Sequence, residues 1–187
     1  MKKPYIWIIP WLALLLAGTG CQSSGTGRPR SSGTVVTIIR HSDLPIKFDA
    51  KTRERETGRF LVLINRYRRQ NGLKPLQMDK KLQRAAQWMS DDMAANNYLD
   101  HRDSKGRDPF RRMAAFGYGG NTDKGENVAA GQKTAEKAFK SWRYSKEHNA
   151  NMLDPHFTVI GIGFAYSKTS RYGWYWATSF GGWKSKN

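Results

Sequence analysis

The side chains of this sequence that could carry out chemistry are few: His101, Glu126, the adjacent Glu147 and His148, and His156. Imidazole and carboxylate groups can bind a divalent cation or transfer protons as general acids and bases. Each one, taken singly, is also typical of a structural hydrogen bond, and we place Glu126 in a loop with Gly125 and Asn127. All of them flank predicted helices or strands, so we expect a compact fold to bring them to one rim.

The chain has a single cysteine, Cys21, among 187 residues. An intramolecular disulfide and a multi-cysteine zinc site are therefore excluded, and any metal site must use histidines and carboxylates. The content of 39% hydrophobic and 12% aromatic residues is enough for a packed core. No Gly-x-Ser-x-Gly nucleophile motif occurs in the sequence.

The first 21 residues have the composition of an export signal. A positive start precedes twelve mostly apolar residues, 6–17, which would reach about 18 Å as a helix, short of the roughly 30 Å of bilayer hydrocarbon. Small residues then lead to Cys21, so the segment resembles a bacterial lipoprotein signal in which the cysteine thiol is lipidated. The alternative is an ordinary secretory signal that leaves Cys21 as a free thiol. Both interpretations place the mature chain outside the cytoplasm.

We divide the rest into a flexible tether, 22–51, and one domain, 52–187. Residues 22–33 carry no apolar side chain to bury. A β-branched run at 34–40 could form an edge strand, but the sequence does not indicate which strand it pairs with. From residue 52 onward 25 basic residues face 13 acidic ones, a balance of +12. The positive electrostatic field of such a domain favours anionic partners. For an exported chain these are lipid headgroups, glycans or envelope polymers, and we expect no nucleic acid.

Apolar spacing and capping residues predict four helices in the domain. Their expected limits are Phe60 to Asn71-Gly72, Asp79 to Asn96-Asn97, Asp108-Pro109 to Gly117, and a start near Thr134. In the third helix we expect Phe110, Met113 and Ala114 to face inward. Two β-rich runs, 157–166 and 172–180, then predict a hairpin. Helices followed by antiparallel strands indicate an α+β domain, a three-layer α–β–α sandwich with a small antiparallel sheet.

The chain resembles the CAP superfamily of cysteine-rich secretory proteins, antigen 5 and plant pathogenesis-related proteins, in its bacterial SCP-like form. The resemblance runs from about Phe60 to Gly182. It rests on the order and spacing of many pieces, among them Asn71-Gly72-Leu73-Lys74-Pro75-Leu76, Asp100-His101, Gly125-Glu126-Asn127-Val128-Ala129, Trp142 with Ser145, His148-Asn149-Ala150-Asn151-Met152-Leu153 and His156-Phe157-Thr158-Val159-Ile160-Gly161.

The resemblance implies an α–β–α sandwich and a central cavity in which two histidines and two glutamates can hold a divalent cation such as zinc. His101, Glu126 and His156 match three of these positions. Ser145 stands at the fourth, where Glu147 or His148 could substitute. Two imidazoles and a carboxylate would suit zinc with water at an open position.

These features predict a monomeric, extracytoplasmic, membrane-anchored lipoprotein that binds a lipid, a glycan or an anionic envelope polymer without catalysis. A divalent cation in the cavity is part of this hypothesis. The alternative is a metal-dependent hydrolase of peptide or envelope polymers, with His101 and His156 as ligands and Glu126 as general base or third ligand.

Overall fold

The structure, a computed structural model, describes residues 48–120 and 122–183. The predicted export signal with Cys21 and the run at 34–40 lie outside the described residues, as does the predicted tether except for its last four positions. The first helix begins at Ala50, two residues before the predicted domain boundary at residue 52. None of the described helices is long and apolar enough to cross a membrane.

Within these residues the structure has five helices and four strands. Their order is α1 (Ala50–Gln70), β1 (Gln77–Met78), α2 (Lys80–Asn96), α3 (Pro109–Ala115), β2 (Thr122–Ala130), α4 (Ala135–Tyr144), α5 (Lys146–Met152), β3 (Val159–Tyr166) and β4 (Trp174–Trp183). The side chains of Asp79, Asp108 and Thr134 accept backbone N–H groups at the starts of α2, α3 and α4. The four predicted helices and the predicted hairpin are present, but α1 begins ten residues before Phe60. The fifth helix, α5, was not predicted; it occupies part of the segment expected between the last helix and the first strand.

The placement of Glu126 in a loop is wrong, because Glu126 lies in the middle of strand β2. Gly125 and Asn127 are weak strand formers, and the strand owes its existence to nine register pairs with β4, from Thr122 opposite Trp183 to Ala130 opposite Tyr175. Partner pairing of this kind is a tertiary effect that local sequence does not encode.

The four strands form one sheet in the order β1, β3, β4, β2. It is antiparallel except for the two-residue β1, which runs parallel to β3. Helices α1 and α4 pack on one face over a core that contains Phe60, Trp142 and Trp176, whereas α2 packs on the other over Met89, Met93 and neighbours. This arrangement confirms the three-layer α–β–α sandwich.

Helix α2 approaches strand β3 closely. A Cβ atom at Gly161 would overlap the backbone of Leu82, and one at Gly163 would overlap the carbonyl of Ala86. Glycine at both positions lets the helix backbone lie directly against the strand. This close contact fixes the first half of α2 against β3.

Arg68 holds α1 in place on the face of the sheet opposite to α2. Its side chain is buried and donates to the carbonyl oxygens of Lys74 (2.9 Å), Met152 (2.9 Å), Asp154 (3.0 Å) and Phe157 (3.0 Å). Burial lowers the pKa of Arg68, and the charge of Asp154 acts against that effect. The guanidinium therefore binds α1 to the loop after α5, the segment that contains His156.

Candidate functional site

His101 and Glu126 are brought together from different elements. His101 lies in the segment between α2 and α3, and its Nδ1 is 2.9 Å from Oε1 of Glu126. The Glu126 side chain is 1% exposed, whereas the imidazole of His101 is 32% exposed. The carboxylate thus orients a ring that reaches the surface.

The second oxygen of the Glu126 carboxylate accepts a hydrogen bond from Arg112. Nη2 of this fully buried arginine of α3 bonds Oε2 of Glu126. Its Nη1 donates to the carbonyl oxygen of His101 at 3.2 Å and lies 3.6 Å from Oδ2 of Asp103. Arg112 therefore compensates two buried carboxylates and also holds the backbone at His101.

Asp103 continues this network toward the surface. Its Oδ2 accepts Nε of Arg107 at 2.8 Å, and its Oδ1 accepts the backbone N–H groups of Lys105 (3.0 Å) and Arg107 (2.9 Å). The side chain of Arg107 is only 23% exposed. Buried charges of alternating sign thus order the loop that follows His101.

Helix α5 brings His148 to the same rim. Nδ1 of His148 is 2.8 Å from Oγ of Ser145, which also donates to Oε2 of the exposed Glu147 at 3.3 Å. Burial lowers the pKa of His148, and the charge of His101 lowers it further, while Glu147 acts in the opposite direction. His148 is accordingly a neutral imidazole at neutral pH.

Two asparagines connect the His148 helix to the Glu126 strand. Nδ2 of Asn151 donates to the carbonyl oxygen of Glu126 (3.1 Å) and to Oδ1 of Asn127 (2.8 Å), and Nδ2 of Asn127 donates to the carbonyl oxygen of His148 (3.0 Å). Because buried amides need all their partners, this exchange sets the position of α5 against β2.

His156 lies apart from these contacts. Its side chain is 71% exposed, and Nδ1 is 2.9 Å from Oδ1 of Asp154 two residues earlier. In the part of the chain that the structure describes, the hydrogen bonds of His156 go to Asp154, whereas the charge of His101 acts on His148. The structure thus joins His101 to Glu126 and leaves His156 with Asp154. His148, expected only as a possible further member of the cavity, is the histidine whose pKa the charge of His101 lowers.

Sequence patterns did not indicate the roles of Arg112, Asp103 and Asn151. In α3 the expectation that Phe110 and Ala114 face inward is wrong: Phe110 is 36% exposed and Ala114 is exposed, while Arg112 and Met113 are buried. The helix presents Arg112 to the interior because Glu126 and Asp103 compensate its charge there. Asn151 could have been found from the sequence, because it belongs to the family motif that begins at His148.

No group of three or more His, Cys, Asp or Glu side chains in the described ranges is arranged to hold a metal ion. His101 and His148 each use Nδ1 for a protein partner, so a cation would have to bind through Nε2 of either ring. These are two protein ligands, fewer than the three or four of usual zinc sites.

A shallow hollow of about 260 Å³ lies beside this cluster, lined by Asn96, Tyr98, Asp100, Arg102, Asp103 and Ser104. Its lining comes from the loop that Asp103 orders, with one residue from the end of α2. Its lining residues are mostly polar or charged by type, and the hollow is open to solvent.

The model of the cysteine-rich secretory protein family, CAP, matches residues 61–180. A curated protein of Bacillus subtilis (strain 168), named uncharacterized protein YkwD, is 45% identical over 105 residues, which are 56% of this chain and 40% of that protein. The chain thus spans well under two thirds of the length of this relative.

Two solved structures are similar in fold. An extracellular protein containing an SCP domain from Bacillus anthracis str. Ames has a TM-score of 0.60 at 25% identity, over 68% of this chain and 40% of that chain. An outer surface protein of Borrelia burgdorferi has a TM-score of 0.64 at 19% identity, over 74% of this chain and 98% of that chain. The second likeness concerns the fold alone.

Proposed function

Since the chain belongs to the cysteine-rich secretory protein (CAP) family, whose model spans residues 61–180, we propose that it is an extracytoplasmic, envelope-anchored binding module that acts without catalysis. Its ligand is an anionic component of the cell envelope. The export signal predicted for residues 1–21 and the lipidation of Cys21 supply the location and the anchor.

The observation that carries this proposal is the full engagement of Glu126. One carboxylate oxygen bonds His101 at 2.9 Å and the other bonds the buried Arg112. A general base must accept a proton from water, and a third metal ligand must offer an oxygen to the ion. Both oxygens of Glu126 contact protein groups and its side chain is only 1% exposed, which favours a role in orienting His101 and holding the loop.

The charge of the domain supports an anionic ligand. From residue 52 onward the balance is +12, and Arg107 and Arg112 are neutralised inside the network around Asp103 and Glu126. Apart from the buried Arg68, most other basic residues that the structure describes are exposed, and there they attract lipid headgroups, acidic glycans or phosphate-bearing polymers.

A divalent cation remains part of the proposal in a restricted form. An ion bound by His101 and His148 would have water at its other positions, and such a site would be weaker than one with three protein ligands. Zinc titration of the protein and of His148→Ala would measure this, with His156→Ala as the control on an exposed imidazole.

The experiment that tests the function combines binding with turnover. Purified protein is incubated at low salt with anionic vesicles and with peptidoglycan, and separately with peptide, ester and muropeptide substrates. We expect binding that weakens as salt increases and no cleavage. Absence of binding to both materials would contradict the proposal.

The metal-dependent hydrolase is the competing outcome of the same experiment. It would appear as a chelator-sensitive cleavage that His101→Ala and Glu126→Ala abolish while circular dichroism shows an intact fold. His156→Ala serves as the matched control, because His156 contacts Asp154 and not the His101 cluster. Such a result would replace the binding module with an enzyme.

A further inference from the structure

Helices α1 and α4 form one continuous outer layer of the domain. The N–H of Ala135 donates to Oε2 of Glu56 at 2.9 Å, and Nε of Arg59 is 2.7 Å from Oε1 of Glu136. Further along both helices, the guanidinium of Arg143 lies 5.0 Å from the ring centre of Tyr67. The two helices therefore run side by side in the same direction.

The outward side of this layer is strongly basic. Every exposed basic side chain of α1 falls, at 100° per residue, within an arc of about 80° that also contains Val62; the basic residues are Lys51, Arg55, Arg59, Arg66 and Arg69, and the exposed Glu54 lies outside the arc. Lys137 and Lys140 continue the surface on α4. Across both helices eight exposed basic residues face two exposed acidic ones, Glu54 and Glu136. We call this surface the α1–α4 face.

Few of these charges are neutralised within the protein. Arg59 pairs with Glu136, and Arg55 lies 3.3 Å from Glu56. Arg66, Lys137 and Lys140 have no ion pair among the described residues. On the opposite layer α2 and α3 expose four basic residues and one acidic residue, so the excess there is half as large.

The same face carries the most exposed large apolar side chains of the described residues. Tyr144 is 76% exposed and Val62 is 56% exposed. Val62 lies at the centre of the basic arc of α1, and Tyr144 ends α4. Exposed apolar groups within a cationic surface are typical of proteins that lie on a bilayer, where the apolar groups enter the headgroup region.

We propose that the α1–α4 face docks on an anionic phospholipid bilayer. This inference rests on the proposed function and names its partner. The charges spread over two helices and about 27 Å of α1, so they match a plane of headgroups better than a single polymer strand. Once a lipid anchor confines the domain to the membrane, weak contacts of this kind orient it there.

The test measures binding of the full chain to vesicles of phosphatidylglycerol and phosphatidylcholine, with pure phosphatidylcholine vesicles for comparison. In Arg66→Glu/Lys137→Glu/Lys140→Glu we expect binding about 100-fold weaker, since each basic residue near an anionic surface contributes about fivefold. The control Lys80→Glu/Lys81→Glu/Arg111→Glu makes the same change in net charge on α2 and α3, and should weaken binding less than about threefold. Circular dichroism verifies that both variants fold.

A second variant separates docking from charge attraction alone. Val62→Ser/Tyr144→Ser should lower the binding that persists at high salt, because only the apolar contacts survive screening. Equal losses in the two charge-reversal variants, or unchanged high-salt binding in Val62→Ser/Tyr144→Ser, would overturn the proposal.

Two further results would also overturn it while leaving other conclusions intact. If soluble polyphosphate binds the α1–α4 face and the vesicles do not, the partner is a linear polymer. If peptidoglycan binds and vesicles do not, the general function as a binding module stands and only the bilayer docking fails.

Discussion

Arg112 is the residue on which the arrangement around His101 depends. It is fully buried, it bonds Glu126, and it donates to the backbone of His101. A cation in the interior is tolerated only with compensating carboxylates, and here Glu126 and Asp103 supply them. The compensation of Arg112 is therefore enough to explain why Glu126 and His101 lie together.

Removal of one partner of this buried pair should be costly. Arg112→Met leaves the Glu126 carboxylate buried without its cation, and we expect a loss of about 3–5 kcal/mol in the free energy of unfolding. Urea denaturation followed by circular dichroism measures it. The double variant Arg112→Met/Glu126→Gln should recover part of the loss, and purely additive effects in the two variants would contradict the proposed coupling.

His148 predicts a dependence of stability on pH. Its pKa is lowered in the folded protein, so the unfolded chain binds a proton more readily, and stability should fall as the pH drops below about 6.5. The loss is about 1.4 kcal/mol for each unit by which the two pKa values differ.

Urea denaturation at pH 7.5 and pH 5 would measure this loss. His148→Asn should reduce the difference in the free energy of unfolding between pH 7.5 and pH 5. His156→Asn, which changes an exposed imidazole, should retain it. An unchanged pH dependence in His148→Asn would show that another group is responsible.

On the scale of elements, side chains of α2 bond the edge of β3 where no neighbouring strand pairs with it. Strand β1 pairs with β3 only at Val159 and Ile160, which leaves the rest of that edge of β3 open. Gln83 exchanges hydrogen bonds with the backbone of Ile162 (2.7 and 2.9 Å), and Gln87 does so with Phe164 (3.1 and 3.2 Å). Four helical residues rise about 6 Å and two strand residues about 6.6 Å, so the spacings match.

This contact should contribute to stability and protect the sheet edge. Gln83→Leu leaves the N–H and carbonyl of Ile162 without their helix partner, and we expect a loss of about 1–3 kcal/mol in the free energy of unfolding. Hydrogen exchange at the Ile162 amide should accelerate as well. Gln70→Leu, at the exposed end of α1, is the control, and unchanged exchange at Ile162 in Gln83→Leu would refute the role of the glutamine.

On the scale of the whole molecule, charge and anchoring act together. The domain carries an excess of basic residues concentrated on the α1–α4 face, and the predicted anchor would hold this surface near anionic headgroups. An anchored domain needs only modest affinity, because its local concentration at the membrane is high. The two contributions can be separated by salt, which weakens the charge contact and leaves a lipid anchor in place.

Cys21→Ser tests the anchor. We expect the wild-type protein to stay in the membrane fraction after a high-salt wash and the variant to appear in the soluble fraction. Metabolic labelling with a radioactive fatty acid should mark the wild-type protein alone. Retention of Cys21→Ser after the wash, without label in either protein, would favour an ordinary secretory signal and a different mode of attachment.

Local sequence determined the elements whose signals are local. Apolar spacing and the caps at Asp79, Asp108 and Thr134 predicted the helices, and the β-rich runs after residue 156 predicted the hairpin, because both patterns act within a few residues. The family followed from the order of motifs along the chain. The match of the family model to residues 61–180 confirms it.

Only the tertiary structure decided which residues meet. Strand β2 exists through its pairing with β4, and Arg112 enters the interior because Glu126 and Asp103 lie there. His101 meets Glu126 for the same reason, and Asn127 and Asn151 bind α5, which carries His148, to β2 across a separation of more than twenty residues. Contacts between distant segments depend on the packing of whole layers, and no local pattern of residue types encodes that packing.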